Sequence, residues 1–415
     1  MLGLFLSRLI RQGTLTVIDS KGRRRTYGAG SPRASLRLAD SRVVWDMMWN
    51  PELRLGELFM DGRIVPEQCS IVDVLDVLML NLEQARHHIA LIETGRALRR
   101  LLRPLRQRNH AASAKANVHH HYDLSGQLYD LFLDQDKQYS CAYFSAPGET
   151  LEEAQVGKKR HIAAKLNLDR EDLDVLDIGS GWGGLALDLA RDCGARVLGC
   201  TLSDEQLKVA RARSNKAGLS ERAKFGLIDY RALDGQFDRI VSVGMFEHVG
   251  VPQYPEFFAK TRDLLKDDGV MVLHFIGRSD GPGSTNPWIR KYIFPGGYTP
   301  ALSEVLPVIE NSRLIVSDIE VLRLHYAETL KEWRKRFVAR HDEVVKLYDE
   351  RFFRMWEFYL AGSEMGFRRD GLVVYQIQVI KQIDALPMTR DYMVDDERRI
   401  KFAGTDHMPH QIRAA

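Results

Sequence analysis

The chain has 415 residues, of which 45% are hydrophobic and 28% are charged. This composition is typical of a globular protein that is long enough for two or three domains. Apolar runs such as GVMVLHFIG are shorter than the ~18 residues that a membrane-spanning helix needs, so we expect no bilayer crossing. The net charge is only +3, yet residues 1–120 carry 19 Lys and Arg against 11 Asp and Glu. The basic excess is therefore local.

The four cysteines predict a reducing compartment. Cys69, Cys141, Cys193 and Cys200 have neither the paired spacing of a metal site nor the density of a disulfide scaffold. The opening MLGLFLSRLI has no basic region before its apolar stretch, unlike a secretory signal. We therefore expect a cytoplasmic protein with free thiols and no metal.

Residues 1–110 predict a small α+β domain. LTVIDSKGRRRTY alternates apolar and polar residues around a turn, which indicates a β-hairpin after an N-terminal helix. Residues 70–102 have mostly helical spacing. Residues 96–109 contain six arginines and no acidic residue. Two interpretations stay open for this run: a helix that docks on an anionic membrane, or an interdomain helix with a solvated basic face.

Residues 111–387 predict a second, larger domain. Short β-rich runs (DVLDIG, ARVLGCTL, RIVSVGM, GVMVLHFIG) alternate with helix-length segments, which indicates an α/β fold with a doubly wound, mostly parallel sheet. We expect LVVYQIQVIK to add an edge strand and residues 388–415 to form a polar, mobile tail. Adjacent side chains rarely converge on one metal ion, so we expect His119, His120 and His121 to form a helix entrance or a substrate lid.

VLDIGSGWGG predicts a nucleotide-type cofactor site. It places Asp177 at a strand end, followed by Gly179, Gly181 and Gly183 before a helix, where glycines allow a tight turn and close approach to a ligand. Dinucleotide-binding enzymes use a similar loop. The next strand, however, ends in Thr201 instead of the acidic residue that holds an NAD ribose. This difference favours S-adenosylmethionine (SAM).

Two further residues could each either bind the ligand or have a purely structural role. Gln206 completes an S-x-x-Q capping-box pattern with Ser203, so it either caps a helix or binds the ribose. Asp229 in LIDYRAL either holds the adenine amino group or is a solvated loop acid.

Several motifs together resemble the cyclopropane-fatty-acyl-phospholipid synthase family, which is related to the mycolic acid cyclopropane synthases. They are HYDLSGQLYDLFLDQDKQYSCAYF, VLDIGSGWGG, DRIVSVGMFEHVG, LHFIG, NPWIRKYIFPGGYTP and MGFRRDG. The resemblance extends from Asn117 to Lys381, and NPELRLGELFMDGRI resembles the leading domain of the phospholipid-modifying members. It implies a Rossmann-like class I methyltransferase fold and a smaller N-terminal α+β domain used for lipid interaction and dimerisation.

The resemblance also implies the reaction. SAM would methylate the double bond of an unsaturated phospholipid acyl chain, and bound bicarbonate would deprotonate the resulting carbocation to close a cyclopropane ring. A family member that stops at a methyl- or methylene-branched product is the alternative. The resemblance implies a homodimer peripheral to the inner face of the membrane. No nucleic-acid partner is expected, because an Asn-Pro-Pro-Tyr type loop is absent after RIVSVG and the basic excess lies outside the catalytic half.

The family pattern maps a bicarbonate site onto this chain. We expect His274 and the Ile276 N–H to donate to the anion, and Glu247 to orient His274 or the bicarbonate hydroxyl. The full implied catalytic set is Cys141, Glu247, His274, Ile276 through its backbone, and Tyr326. The implied cofactor set is Tyr139, Ser140, Asp177, Gly179, Gly181, Gly183, Thr201, Gln206, Ile228 and Asp229.

Taken singly, the catalytic positions have simpler interpretations. Cys141 could be a small core residue, His274 a structural histidine, Tyr326 a packing aromatic and Glu247 a carboxylate beside a helix terminus. An acyl tunnel could be built from two aromatic segments, and the second of them could equally be core because of its helical spacing. The segments are residues 277–300, with Trp288, Tyr292, Ile293 and Phe294, and RFFRMWEFYLAG, with Phe352, Phe353, Trp356 and Tyr359.

Overall fold

The structure is a computed structural model that describes residues 2–85 and 126–400. By its internal contacts the chain divides into two units, each assembled from separate stretches of sequence. The first contains residues 1–108, 277–301 and 326–373, and the second contains residues 109–276, 302–325 and 374–415. The two predicted domains were each continuous in sequence, whereas these units are not. The roles expected for the domains remain predictions.

The first unit contains a four-stranded sheet with the order β2-β1-β3-β4. The strands are β1 (Gly13–Ile18), β2 (Arg24–Ala29), β3 (Arg33–Leu38) and β4 (Ile64–Pro66). β1 pairs antiparallel with β2, so the predicted hairpin is confirmed, and β3 runs parallel to β1. Side chains along β3 alternate between buried and more exposed positions, as expected when one face of a sheet covers a core.

Helices complete the first unit. They are α1 (Leu2–Leu9), α2 (Arg42–Trp49), α3 (Pro51–Met60) and α4 (Ile71–Ala85), and later in the chain α10 (Pro287–Tyr292), α12 (His325–Ala339, of which His325 belongs to the second unit), α13 (His341–Leu347) and α14 (Glu350–Arg369). α1 confirms the predicted N-terminal helix, and α4 confirms the described part of the helical segment that was predicted from residue 70.

The aromatic residues of α14 contribute to the core of this unit. Phe353, Trp356 and Tyr359 are buried, as the core interpretation expects. Trp288 of α10 is 1% exposed and packs edge-on against Phe358 at a ring distance of 4.8 Å. A Cβ atom at Gly56 would clash with the Trp288 Nε1, so a larger residue there would displace the indole. An acyl tunnel in these segments remains a prediction.

The second unit contains a seven-stranded sheet with the order β10-β11-β9-β8-β5-β6-β7. The strands are β5 (Asp174–Ile178), β6 (Arg196–Thr201), β7 (Ala223–Leu227), β8 (Phe237–Val243), β9 (Leu265–Arg278, whose last two residues belong to the first unit), β10 (Ile315–Leu322) and β11 (Leu372–Ile380, whose first two residues belong to the first unit). β5 is parallel to both β6 and β8, and the parallel order continues to β7 and β9. The predicted doubly wound, mostly parallel sheet is confirmed.

Helices alternate with these strands. They are α5 (Gly126–Asp130), α6 (Leu151–Lys165), α7 (Gly184–Asp192), α8 (Asp204–Lys216), α9 (Tyr254–Leu264), α11 (Leu302–Asn311) and α15 (Asp391–Arg399), with 3₁₀ turns at Tyr230–Ala232, Phe246–His248 and Val251–Gln253.

The prediction that LVVYQIQVIK forms an edge strand is wrong. β11 lies between β10 and β9, and every residue from Val373 to Ile380 is buried. Burial of both faces is typical of an interior strand. The edge is β10, which pairs antiparallel with β11 and exposes part of its length. The sequence interpretation included neither β10 nor β7.

The prediction of a mobile tail from residue 388 is wrong for α15. Met393 and Ile400 are buried, and the Glu397 carboxylate lies 3.1 Å from the His161 Nδ1 of α6. Residues 401–415 lie outside the described residues. The arginine run at 96–109 and the three histidines at 119–121 also lie outside them, and their roles stay predictions.

Candidate active site

A cavity that is open to solvent lies at the carboxyl ends of β5 and β6 and against the segments that follow β7 and β8. Ligands of open α/β sheets bind at this edge. Nine of the ten predicted cofactor residues line it: Tyr139, Ser140, Asp177, Gly179, Gly181, Thr201, Gln206, Ile228 and Asp229. The exception is Gly183, whose role is structural. It is the N-cap of α7 with φ of +84°, and a Cβ atom there would lie 2.8 Å from the Phe225 ring.

Asp177 supplies a buried carboxyl group to the cavity wall. It is 2% exposed, and burial raises its pKa to about 7, although the Lys158 ammonium opposes this shift. A buried carboxylate is stabilised by a nearby positive charge. The position therefore suits a cationic ligand.

Only one of the two hydrogen bonds of the predicted capping box is present at Gln206. The Ser203 hydroxyl accepts from the Gln206 N–H at 3.3 Å and so caps α8. The Gln206 side chain does not complete the box, because its Oε1 accepts from the Thr201 hydroxyl at 2.8 Å. Thr201 Oγ1 in turn accepts from the Ser203 N–H at 3.2 Å. The Gln206 amide is thus fixed in the cavity wall, in a position to meet a ligand.

Asp229 is held by Arg231. The guanidinium donates from Nε to Oδ1 at 2.9 Å and from Nη2 to Oδ2 at 2.5 Å, in a bidentate pair. Burial raises the pKa of this carboxyl, but the hydrogen bonds from Arg231 outweigh it and the pKa is lowered overall. Asp229 therefore stays ionised, and its predicted adenine contact remains a prediction.

Sequence reasoning missed Lys158, which also lines the cavity. This lysine of α6 is 1% exposed, and its Nζ donates to Gln138 Oε1 at 2.5 Å and to Ser140 Oγ at 2.9 Å. Burial lowers its pKa to about 8. In the sequence, α6 carries several charged residues and no apolar stripe, so nothing marked this lysine as buried.

The 3₁₀ turn after β8 places Glu247 next to the cofactor cavity, because its neighbours Met245 and His248 line that cavity. Glu247 is 8% exposed, and its Oε1 accepts from the Ile276 N–H at 2.7 Å. Its Oε2 is buried and has no hydrogen-bond partner among the described residues. Burial raises the pKa of Glu247 to about 7, against the opposing effect of the Ile276 hydrogen bond.

His274 lies on β9 beside Val243 of β8 and is 2% exposed. Its Nδ1 lies 3.1 Å from Gln376 Nε2, so the residue that contacts its ring is Gln376, which sequence reasoning missed. Burial, together with the charges of Lys158 and Lys165, holds the pKa of His274 well below its ordinary value. The imidazole is therefore neutral.

The remaining predicted catalytic side chains are those of Cys141 and Tyr326, which belong to different units. Cys141 is 1% exposed in the second unit, and its thiol lies 3.3 Å from the Ala142 carbonyl oxygen. Tyr326 is 7% exposed in the first unit, where its ring packs against Trp333 and Phe367. The packing-aromatic interpretation of Tyr326 fits these contacts, and its catalytic role remains a prediction. Within residues 2–85 and 126–400, no cluster of His, Cys, Asp and Glu could hold a metal ion.

Residues 109–377 match the family described as mycolic acid cyclopropane synthetase. The chain belongs to this family. A probable fatty acid methyltransferase of Pseudomonas putida is 35% identical over 381 residues, which cover 88% of this chain and 92% of the relative. The cyclopropane-fatty-acyl-phospholipid synthase of Escherichia coli K12 is 37% identical over 351 residues, which cover 84% and 88%. The structure of mycolic acid cyclopropane synthase CmaA1 complexed with SAH and CTAB aligns with a TM-score of 0.60 and 32% identity, over 64% of this chain and 97% of that one.

The mycolic acid cyclopropane synthetase family consists of SAM-dependent methyltransferases, so the class I methyltransferase fold and the enzyme class expected from the sequence are confirmed. The cavity fits SAM, because Gly181 leaves its backbone open to a ligand and Asp177 offers a carboxylate to a cation. A Cβ atom at Gly181 would meet nothing within 4 Å, which shows the space beside that backbone. When bound, SAM supplies an electrophilic methyl group.

Proposed function

We propose that this enzyme adds a methylene group to the double bond of unsaturated phospholipid acyl chains, with SAM as donor and bicarbonate as base, and so forms cyclopropane fatty acids. The Escherichia coli cyclopropane-fatty-acyl-phospholipid synthase aligns with 84% of the chain at 37% identity, including part of the first unit. Alkylation of an alkene leaves an electron-poor carbon, and ring closure requires loss of a proton from the newly added methyl group. A site for this chemistry needs a proton acceptor in a dry pocket.

The observation that carries the proposal is the buried carboxyl of Glu247. With a pKa of about 7, a large fraction of this group is protonated at neutral pH. Its Oε1 is occupied by the Ile276 N–H, so a protonated Oε2 can donate a hydrogen bond to a small anion such as bicarbonate, which remains a base. Bicarbonate, when bound, supplies the base. In this arrangement the Ile276 N–H orients Glu247, whereas we had expected it to contact the anion.

The rival product is a methyl- or methylene-branched chain. The Pseudomonas putida relative, named a probable fatty acid methyltransferase, covers more of the chain than the Escherichia coli enzyme does. The same first step serves every outcome. Ring closure and a methylene branch both lose a proton from the added methyl group, the methylene branch after a hydride shift along the chain, whereas loss of a proton from the acyl chain leaves a methyl-branched alkene. We infer ring closure because the matched family and the Escherichia coli relative are both named as cyclopropane synthases.

Acyl-chain analysis with a deuterated methyl donor tests the proposal. The purified enzyme is incubated with mixed phospholipid vesicles and SAM labelled as CD₃, and the released fatty acids are analysed by mass spectrometry and by proton and carbon-13 NMR. Ring closure retains two of the three deuterium atoms and gives cyclopropane resonances, whereas a methyl branch retains all three. A methylene product also retains two, but shows olefinic carbon. Either branched product would replace the proposal with its rival, and absence of label in the acyl chains would overturn both.

Membrane association also belongs to the proposal, because the substrate is a bilayer lipid. No helix within the described residues is long and apolar enough to span a bilayer. Trp45 and Trp49 lie one turn apart on α2 and are 63% and 90% exposed. Indole side chains favour the headgroup region of a membrane. We infer a peripheral enzyme on the inner face of the membrane that docks through the first unit and its arginine run. A homodimer remains a prediction.

A further inference from the structure

Gln376 of β11 links the candidate base site to a row of hydrogen-bonded charged side chains in the second unit. It is 1% exposed, and both ends of its side-chain amide are engaged. Gln376 Oε1 lies 2.7 Å from Lys165 Nζ, and Gln376 Nε2 lies 3.1 Å from His274 Nδ1. Lys165 continues the chain to Glu320, which also accepts from His161 Nε2 at 2.6 Å.

The orientation of the Gln376 amide follows from the lysine. An ammonium group has donors and no acceptor, so the amide atom that faces Lys165 must be the oxygen. The amide nitrogen then faces His274. Because that nitrogen is itself only a donor, the Nδ1 of His274 must accept, and the single proton of the neutral ring must lie on Nε2.

We propose that Gln376 is a positioning residue that fixes His274 as the Nε2–H tautomer, and so presents a hydrogen-bond donor to the anionic base of the reaction. This inference rests on the proposed function. The alternative tautomer would present a lone pair from Nε2 to an anion and repel it. Gln376 therefore acts through His274 and does not contact the reacting atoms.

The chain provides a matched control in Gln378. Gln378 lies two residues further along β11, on the same face of the strand, and is also 1% exposed. Its Nε2 donates to the Lys165 carbonyl oxygen at 2.5 Å and to the Tyr392 hydroxyl at 2.7 Å. Replacing Gln378 thus removes a buried amide from the same strand while leaving the His274 hydrogen bond in place.

The first test reads the tautomer in the intact protein. The enzyme is labelled with ¹⁵N-histidine, and the His274 signals among the 13 histidines are identified by their loss in His274→Ala. We expect an unprotonated Nδ1 and a protonated Nε2 in the unsubstituted chain. In Gln376→Glu the carboxylate can only accept, so the proton should move to Nδ1. A proton on Nδ1 in the unsubstituted chain would overturn the inference, and this reading does not depend on how any Gln376 variant folds.

The second test compares turnover in Gln376→Met and Gln378→Met. We expect Gln376→Met to lose about 100-fold in turnover at unchanged SAM affinity, as for a lost contribution to proton transfer. Gln378→Met should change turnover by less than about twofold. If His274→Ala is inactive but Gln376→Met turns over like the unsubstituted enzyme, the inference fails and the proposed function stands. If His274→Ala is itself fully active, the proposed base site fails.

Discussion

At the scale of single residues, Glu247 combines a functional position with a cost to stability. Its pKa is raised by burial from an ordinary 4.5 to about 7. A carboxyl group with a raised pKa destabilises the folded state when it ionises, so the cost appears as the pH rises above 4.5 and is complete above about 7. At about 1.4 kcal/mol for each pKa unit, the cost reaches about 3 kcal/mol as an upper value.

Glu247→Gln should therefore gain stability and keep much of its activity. Relative to the unsubstituted protein, its free energy of unfolding should be higher by up to about 3 kcal/mol at pH 8, and this difference should shrink towards pH 4.5. Turnover should fall only modestly while SAM still binds, because the glutamine amide keeps an acceptor for the Ile276 N–H and an N–H donor for the anion. Denaturant unfolding at pH 5 and pH 8 measures the difference, with Glu256→Gln on the exposed face of α9 as the control. A stability difference that is the same at both pH values would contradict the assignment of a buried, partly protonated carboxyl.

At the scale of elements, the turn between β5 and α7 uses its glycines for different reasons. Gly181 has φ of +54° and open space where a Cβ would point, and it lines the cofactor cavity. Gly183 has φ of +84° and packs against Phe225 of β7. One glycine therefore makes room for the ligand, and the other allows the helix to approach the sheet.

Alanine substitutions should separate these two roles. Each adds about 1–2 kcal/mol of backbone strain in the left-handed region. Gly183→Ala should lower the melting temperature further because it also displaces the Phe225 ring, whereas Gly181→Ala should weaken SAM binding more. Thermal unfolding and titration calorimetry with SAM measure the two effects. If one variant shows both the larger loss of melting temperature and the larger loss of SAM affinity, this division of roles is wrong.

At the scale of the whole molecule, the charge is unevenly distributed, with a surplus of eight positive charges in residues 1–120 of a chain whose net charge is +3. Each basic residue near an anionic leaflet contributes about 1 kcal/mol of attraction. The arginine run would then contribute to membrane binding by charge attraction, and the exposed tryptophans of α2 by partial insertion.

Vesicle flotation distinguishes these contributions. Replacing the six arginines of residues 96–109 by Gln should reduce binding to anionic vesicles, most strongly at low salt. Trp45→Ser combined with Trp49→Ser should reduce binding to neutral and anionic vesicles alike. Ile383→Ser, which removes a 78% exposed side chain from the second unit, is the control and should bind normally. Undiminished binding of both the arginine and the tryptophan variants would end the docking proposal.

The sequence by itself determined the fold class, the cofactor edge and nine of the residues that line the cavity. These features depend on local patterns, namely strand periodicity, the glycine turn and the residues at strand ends, which parallel strands bring to one edge. The order of the strands in the sheet could not be predicted from these local patterns. LVVYQIQVIK is the last strand in the sequence, yet it lies inside the sheet because β10 pairs with its outer edge.

Only the tertiary structure decided which polar side chains are buried and what they contact. Lys158 and Gln376 resemble ordinary surface residues in the sequence, and α15 resembles a polar tail. Their burial depends on neighbours from distant stretches of chain: Gln376 meets Lys165 and His274, which lie 211 and 102 residues away. Local periodicity contains no information about such pairings, because the hydrogen bonds that make a buried polar group tolerable form only after the strands and helices have packed together.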